Sequence, residues 1–128
     1  MLDNPEIEAI TEAIKKAVPT EQIFLFGSHA YGHPHIESDY DFFLVIPDGE
    51  MRLMDAVHCA YHAIPREVDR AVDVLANYRS DFNRMRHWKS TMERTVYQKG
   101  VLLYDRSGLA RPMGQEGDGG FGQRQVSL

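Results

Sequence analysis

One cysteine, one tryptophan and no apolar run longer than the five residues 42–46 mark what this 128-residue chain goes without. With Cys59 alone, no internal disulfide can form, and nothing points to an oxidising compartment. The helical pattern around Cys59 makes it a small buried side chain rather than a nucleophile. A membrane-spanning helix takes roughly 20 apolar residues, and no stretch approaches that. The first residues, MLDNPEIEAI, have neither the basic start nor the apolar block of a signal peptide, so the cytoplasm is the expected location. Positive charge is also short: 14 Lys and Arg stand against 19 Asp and Glu, a formal net charge of −5. Strong sequence-blind binding to nucleic acid needs a basic surface and is not expected. A local positive pocket for a phosphate is compatible with that balance.

Glycine is unevenly spread. Six of the ten fall after Asp105, in RSGLARPMGQEGDGGFGQRQVSL, which has too few large apolar residues to offset its ordering entropy. Residues 106–128 therefore read as a disordered tail, and 1–105 as one domain. A chain of this size buries roughly two-thirds of its unfolded surface, enough for a single core.

Within the domain, Asn4-Pro5 is a helix start. Ile7, Ile10, Ile14 and Val18 recur at helical spacing, and Pro19 ends the pattern. QIFLF, residues 22–26, is a short buried strand. A polar segment rich in Gly, His and Pro follows, in which a short helix can begin at Ser28. DYDFFLVI, residues 39–46, is the second strand, apolar on both faces near its end and so central in a covered sheet. After the turn Pro47-Asp48-Gly49 comes a helix over 50–64, stopped by Pro65. RAVDVLA, residues 70–76, is a third strand with Asp73 in its middle. Ser80 and Asp81 cap a helix that carries Phe82, Met85 and Trp88 and continues to Lys99, with Gly100 as its C′ residue. VLLY, residues 101–104, is a last short strand. This order is an α/β or α+β domain, and several sheet orders fit it.

The chemistry concentrates in GSHAYGHPHIESDYD, residues 27–41. Alternate strand residues face opposite ways, so Asp39 and Asp41 share a face and Tyr40 takes the other. Two carboxylates there repel, and one would tend to hold a proton unless a cation intervenes. Mg²⁺ takes oxygen ligands, typically one or two carboxylates with waters and phosphates. Asp73 is the only acid inside the third strand's apolar run, where it costs stability unless paired or ligated. Three acids on adjacent strands suit two metals about 3.5–4 Å apart, the spacing for in-line phosphoryl displacement. Gly27 lets backbone approach a ligand, and the Ser28 hydroxyl with free N–H groups at a helix start suits phosphate oxygens.

Gly27-Ser28, ten residues, then Asp39-Tyr40-Asp41 resembles the signature of the minimal nucleotidyltransferases of the DNA polymerase beta superfamily. The resemblance covers residues 23–76, and GVLLYD at 100–105 is similar to the way many members end. It implies a mixed sheet of about four strands packed by helices. It implies transfer of a nucleoside monophosphate from an NTP, ATP being the expected one, with Mg²⁺ and release of pyrophosphate. Asp39 and Asp41 would bind both metals, Asp73 the metal that activates the acceptor hydroxyl, and Gly27 and Ser28 the triphosphate. Members commonly carry a basic residue where Tyr31 stands, so this chain departs from the pattern beside the phosphates. With no second domain for a substrate, the resemblance implies a protein acceptor, such as a HEPN-type helical toxin neutralised by AMP addition. The other reading is a binding module of the same fold that neutralises or senses a partner by contact. Self-association is compatible with so small a domain.

The remaining polar and aromatic residues are read more plainly. His29, His33 and His35 lack a zinc-site register and read as polar loop residues. Trp88 and Tyr97 read as core. Arg79, Arg84, Arg86 and Lys89 read as a solvated helical face or as a contact surface, and the sequence does not decide between them.

Overall fold

The computed structural model describes residues 4–31 and 39–108, without the side chains of Ser28 and Tyr31. The expectations for His33, His35 and the tail beyond residue 108 lie outside the described residues.

Helix α1 spans Pro5–Ala17. The Asn4 side chain accepts from the N–H groups of Glu6 (2.9 Å) and Ile7 (3.1 Å), satisfying two donors that a helix start leaves open. Ile7, Ile10, Thr11 and Ile14 form the buried stripe, and Thr11 Oγ1 is accommodated by donating to the Ile7 carbonyl (2.8 Å). There follow β1 (Gln22–Phe26), α2 (Ser28–Tyr31), β2 (Tyr40–Ile46), α3 (Leu53–Ala63), β3 (Val72–Tyr78), α4 (Arg79–Met85), α5 (Met92–Lys99) and β4 (Val101–Asp105). The sheet order is β3-β2-β1-β4. β1 runs antiparallel to both β2 and β4, and β2 runs parallel to β3, so the sheet is mixed.

β2 is central, and both of its faces are apolar for that reason. One face presents Tyr40, Phe42, Leu44 and Ile46 to α1 and α3, with Ile23, Leu25 and Val74 beside them. Ala56 and Ala60, four residues apart on α3, are fully buried, and their small side chains let the helix lie close. The other face presents Phe43 and Val45 with Phe24 and Phe26, covered by Phe82 of α4 and Val96 of α5. Phe82 packs on both Phe24 and Phe43, ring centroids 5.6 and 5.5 Å away. Cys59 is half-buried against the first of these cores. Among the described residues no helix is long and apolar enough to cross a membrane.

Three expectations are corrected here. The helix over the eighties and nineties is two helices: Ser90 takes a left-handed backbone (φ 67°). Thr91 then caps α5, accepting from Arg94 N–H (3.1 Å) and donating to the Met85 carbonyl (2.8 Å). Trp88 and Tyr97 are not core; they are 49% and 46% exposed. Gly100 does end α5, but at φ −72° rather than in the left-handed region. Glycine is needed there for space: a Cβ would stand 2.5 Å from the Val96 carbonyl oxygen and 3.1 Å from that of Leu25.

Candidate active site

The strand register brings two of the predicted acids together. Asp41 is the cross-strand partner of Phe26 on one side and of Asp73 on the other. Gly27, the residue after Phe26, is thereby set against Asp41. A Cβ on Gly27 would collide with the Asp41 carboxylate, and its φ of +82° disfavours any other residue as well. Glycine at the end of β1 thus lets the backbone and the acid share one small volume. α2 begins at the next residue, the Ala30 N–H donating to the Gly27 carbonyl at 3.0 Å. Asp39 lies just before β2 rather than in it, and is exposed. Asp73 is the second residue of β3, on an edge strand, and is exposed too.

Asp41 is half-buried, and its carboxyl is held above the usual carboxylate range. Burial is the main cause; the charges of Asp73 and Asp39 and a hydrogen bond with Asp73 add to it, and His29 opposes it. The donors fit a hard divalent cation: three carboxylates at one end of a sheet, with the charges of Asp39 and Asp73 acting on Asp41. As the side chains stand, no group of three or more His, Cys, Asp or Glu among the described residues surrounds an ion position.

Tyr40, between the two acids of the motif, points the other way and anchors them. Its hydroxyl donates to Glu6 Oε1 (2.6 Å) and accepts from Asn4 Nδ2 (3.4 Å), tying the start of β2 to the first turn of α1. The Arg70 guanidinium lies over its ring at 4.9 Å, and the His29 ring meets it edge-on at 4.7 Å. Glu6 also accepts from the Asp69 N–H (3.3 Å) just ahead of β3. Its carboxyl is pulled below the usual range, first by the Tyr40 bond, then by Asp69 and Arg70. The Tyr40 hydroxyl is pushed up, by burial first and then by Glu6. Sequence reasoning missed this cluster. Its one visible signal was the Asp-Tyr-Asp alternation, which sends the tyrosine toward the core; Glu6 is 34 residues away and leaves no such mark.

A second polar group sits on the opposite sheet face, the one that carries Asp41. Asn77 donates to Glu93 Oε2 (2.9 Å), and Glu93 is only 8% exposed. This joins β3 to α5 and holds the second helical layer against the strands.

A family model described as polymerase beta, nucleotidyltransferase matches residues 8–108. The fold is similar to that of a candidate nucleotidyltransferase from Sulfolobus solfataricus, with a TM-score of 0.57 and 22% identity over 80% of each chain. It is also similar to a solved toxin–antitoxin structure with AMP-PNP, with a TM-score of 0.52 and 21% identity over 80% of this chain and 74% of that one. No curated protein matches the sequence.

Proposed function

The chain belongs to the polymerase beta nucleotidyltransferase family, and on that premise we propose that it moves AMP from ATP to a hydroxyl on a partner protein. The observation that carries the reading is the in-register pair Asp41 and Asp73 beside a glycine that has no room for a side chain. Asp39, Asp41 and Asp73 would hold Mg²⁺. When bound, the metal supplies positive charge to the carboxylates and to the phosphoryl oxygens. Gly27 and the backbone at the start of α2 would face the triphosphate, and the Ser28 hydroxyl would join them. The acceptor oxygen bonds to the α-phosphorus as the bond to the bridging oxygen breaks, and pyrophosphate leaves. Asp73, the exposed acid of the pair, would receive the acceptor's proton. The similar toxin–antitoxin structure with AMP-PNP supports an adenine nucleotide and a protein partner, and a HEPN-type toxin is the acceptor that the sequence resemblance implies.

The test is incubation of the protein with α-labelled ATP, Mg²⁺ and an extract of its source cells, beside an Asp41→Asn control. Label entering a protease-sensitive, nuclease-resistant product with wild type alone is expected. Label in a nuclease-sensitive product, or equal labelling by the variant, contradicts the reading. A second reading is favoured by Tyr31, which stands where the family resemblance implies a basic residue. In it the chain neutralises its partner by contact, and neutralisation survives Asp41→Asn.

A further inference from the structure

The segment 79–99 holds six Lys and Arg against two acids, in a chain whose net charge is −5. It also carries the exposed Trp88, Met92 and Tyr97. Both rings are stacked by arginine: Arg84 over Trp88 at 5.4 Å and Arg86 over Tyr97 at 4.2 Å. Trp88 keeps about half of its surface in water and so forgoes apolar burial. Yet the turn that bears it is firmly built. The Trp88 N–H donates to the Met85 carbonyl (3.0 Å). Thr91 Oγ1 donates to the Trp88 carbonyl (3.0 Å), and Arg94 Nη1 to the His87 carbonyl (3.3 Å). A fixed turn that displays an indole, rather than hiding it, is preorganised for contact.

We infer that the α4–α5 surface around Trp88 and Tyr97 docks a partner protein through an acidic patch on that partner. Tryptophan, tyrosine, methionine and arginine are the residues enriched at the centres of protein interfaces and among their hot spots. Single-stranded nucleic acid also stacks on such rings, but its polyphosphate is repelled by the rest of this acidic chain and has no use for Met92. An acidic patch meets Arg84, Arg86 and Lys89 locally without a long run of phosphates. The surface lies on the side of the sheet that carries Asp41. Phe82 of α4 packs on Phe43, two residues along β2 from that acid, roughly 7 Å. A partner docked here is therefore on the same side of the sheet as Asp41, and the inference, which rests on the proposed transfer, deepens it by naming where the acceptor protein sits.

Trp88 is the only tryptophan, so its fluorescence reports on this surface alone. The full chain is titrated with a random glutamate–tyrosine copolymer and, in parallel, with a short single-stranded RNA. The copolymer should shift Trp88 emission, with an affinity that falls as salt rises. Arg84→Ala with Arg86→Ala should weaken it about tenfold or more. Lys89→Glu, on an exposed side chain, should weaken it too and guards against misfolding of the double variant. An absent response, a response that neither variant changes, tighter binding of the RNA, or an emission change driven by the chain's own concentration each overturns the inference. Mg²⁺–ATP binding is measured on the same samples. Its loss with copolymer binding intact sinks the transfer reading alone, and the reverse sinks the docking surface alone.

Discussion

The two faces of β2 are built from one stretch of seven residues and come out differently. On one, Tyr40, Phe42, Leu44 and Ile46 are sealed by α1 and α3 along the whole strand. On the other, Phe43 and Val45 are covered by α4 and α5, but Asp41 remains only half-buried and its neighbour Asp73 is exposed. The sealed face sets stability. The open end of the second face gives up burial and gains a cluster of carboxylates. Substitutions on the two faces should therefore separate stability from chemistry.

The largest separation is expected at Asp41. Replacing it with Asn should lower transfer by about a thousandfold or more, the loss of several kcal/mol of charge stabilisation, while the melting temperature at neutral pH does not fall. On the sealed face, Leu44→Ala should do the opposite. It should cost about 2–5 kcal/mol in denaturant unfolding through the cavity it leaves, with the residual folded protein still binding Mg²⁺–ATP. Gly27→Ala joins the two effects, since it strains the backbone by about 1–2 kcal/mol and drives a methyl group into the Asp41 carboxylate. Loss of nucleotide binding beyond the loss of stability would show the collision at work. Tyr40→Phe should cost about 1 kcal/mol, the net value of its bond to Glu6. It should also reduce transfer more than Leu44→Ala does, because it loosens the segment that carries Asp39 and Asp41.

The smallest effect concerns pH. The folded carboxyl of Asp41 holds its proton more tightly than in the unfolded chain, so this group contributes stability at low pH that is lost as pH rises through its folded pKa. Asp41→Asn should thus melt slightly higher than wild type at neutral pH without metal. The gain should vanish below about pH 4, where the unfolded carboxyl is protonated as well. A constant difference across that range would show that the raised Asp41 carboxyl is not its source.

These contrasts also show what the sequence could reveal. Apolar runs bounded by turn residues located the strands, and the run 42–46 marked β2 as central because a strand covered on both sides has no polar alternation. Gly27-Ser28 and Asp39-Tyr40-Asp41 indicated the family, which the match over residues 8–108 establishes. The pairing of Asp41 with Asp73 was harder to read, since a parallel register is set by a crossover through α3 and leaves no local pattern. Trp88 and Tyr97 were read as core because large aromatics usually are; their exposure depends on Ser90 and Thr91 ending one helix and starting another. The clamp on Tyr40 and the Asn77–Glu93 bond are tertiary pairs, invisible until the strands and helices meet.

The first measurement is calorimetric titration of the protein with ATP, with and without Mg²⁺, for wild type and Asp41→Asn. If the open end of the sheet is a cation and nucleotide site, ATP binds the wild type only with Mg²⁺, and the variant binds far more weakly. Binding that ignores Mg²⁺, or that survives Asp41→Asn unchanged, would contradict it.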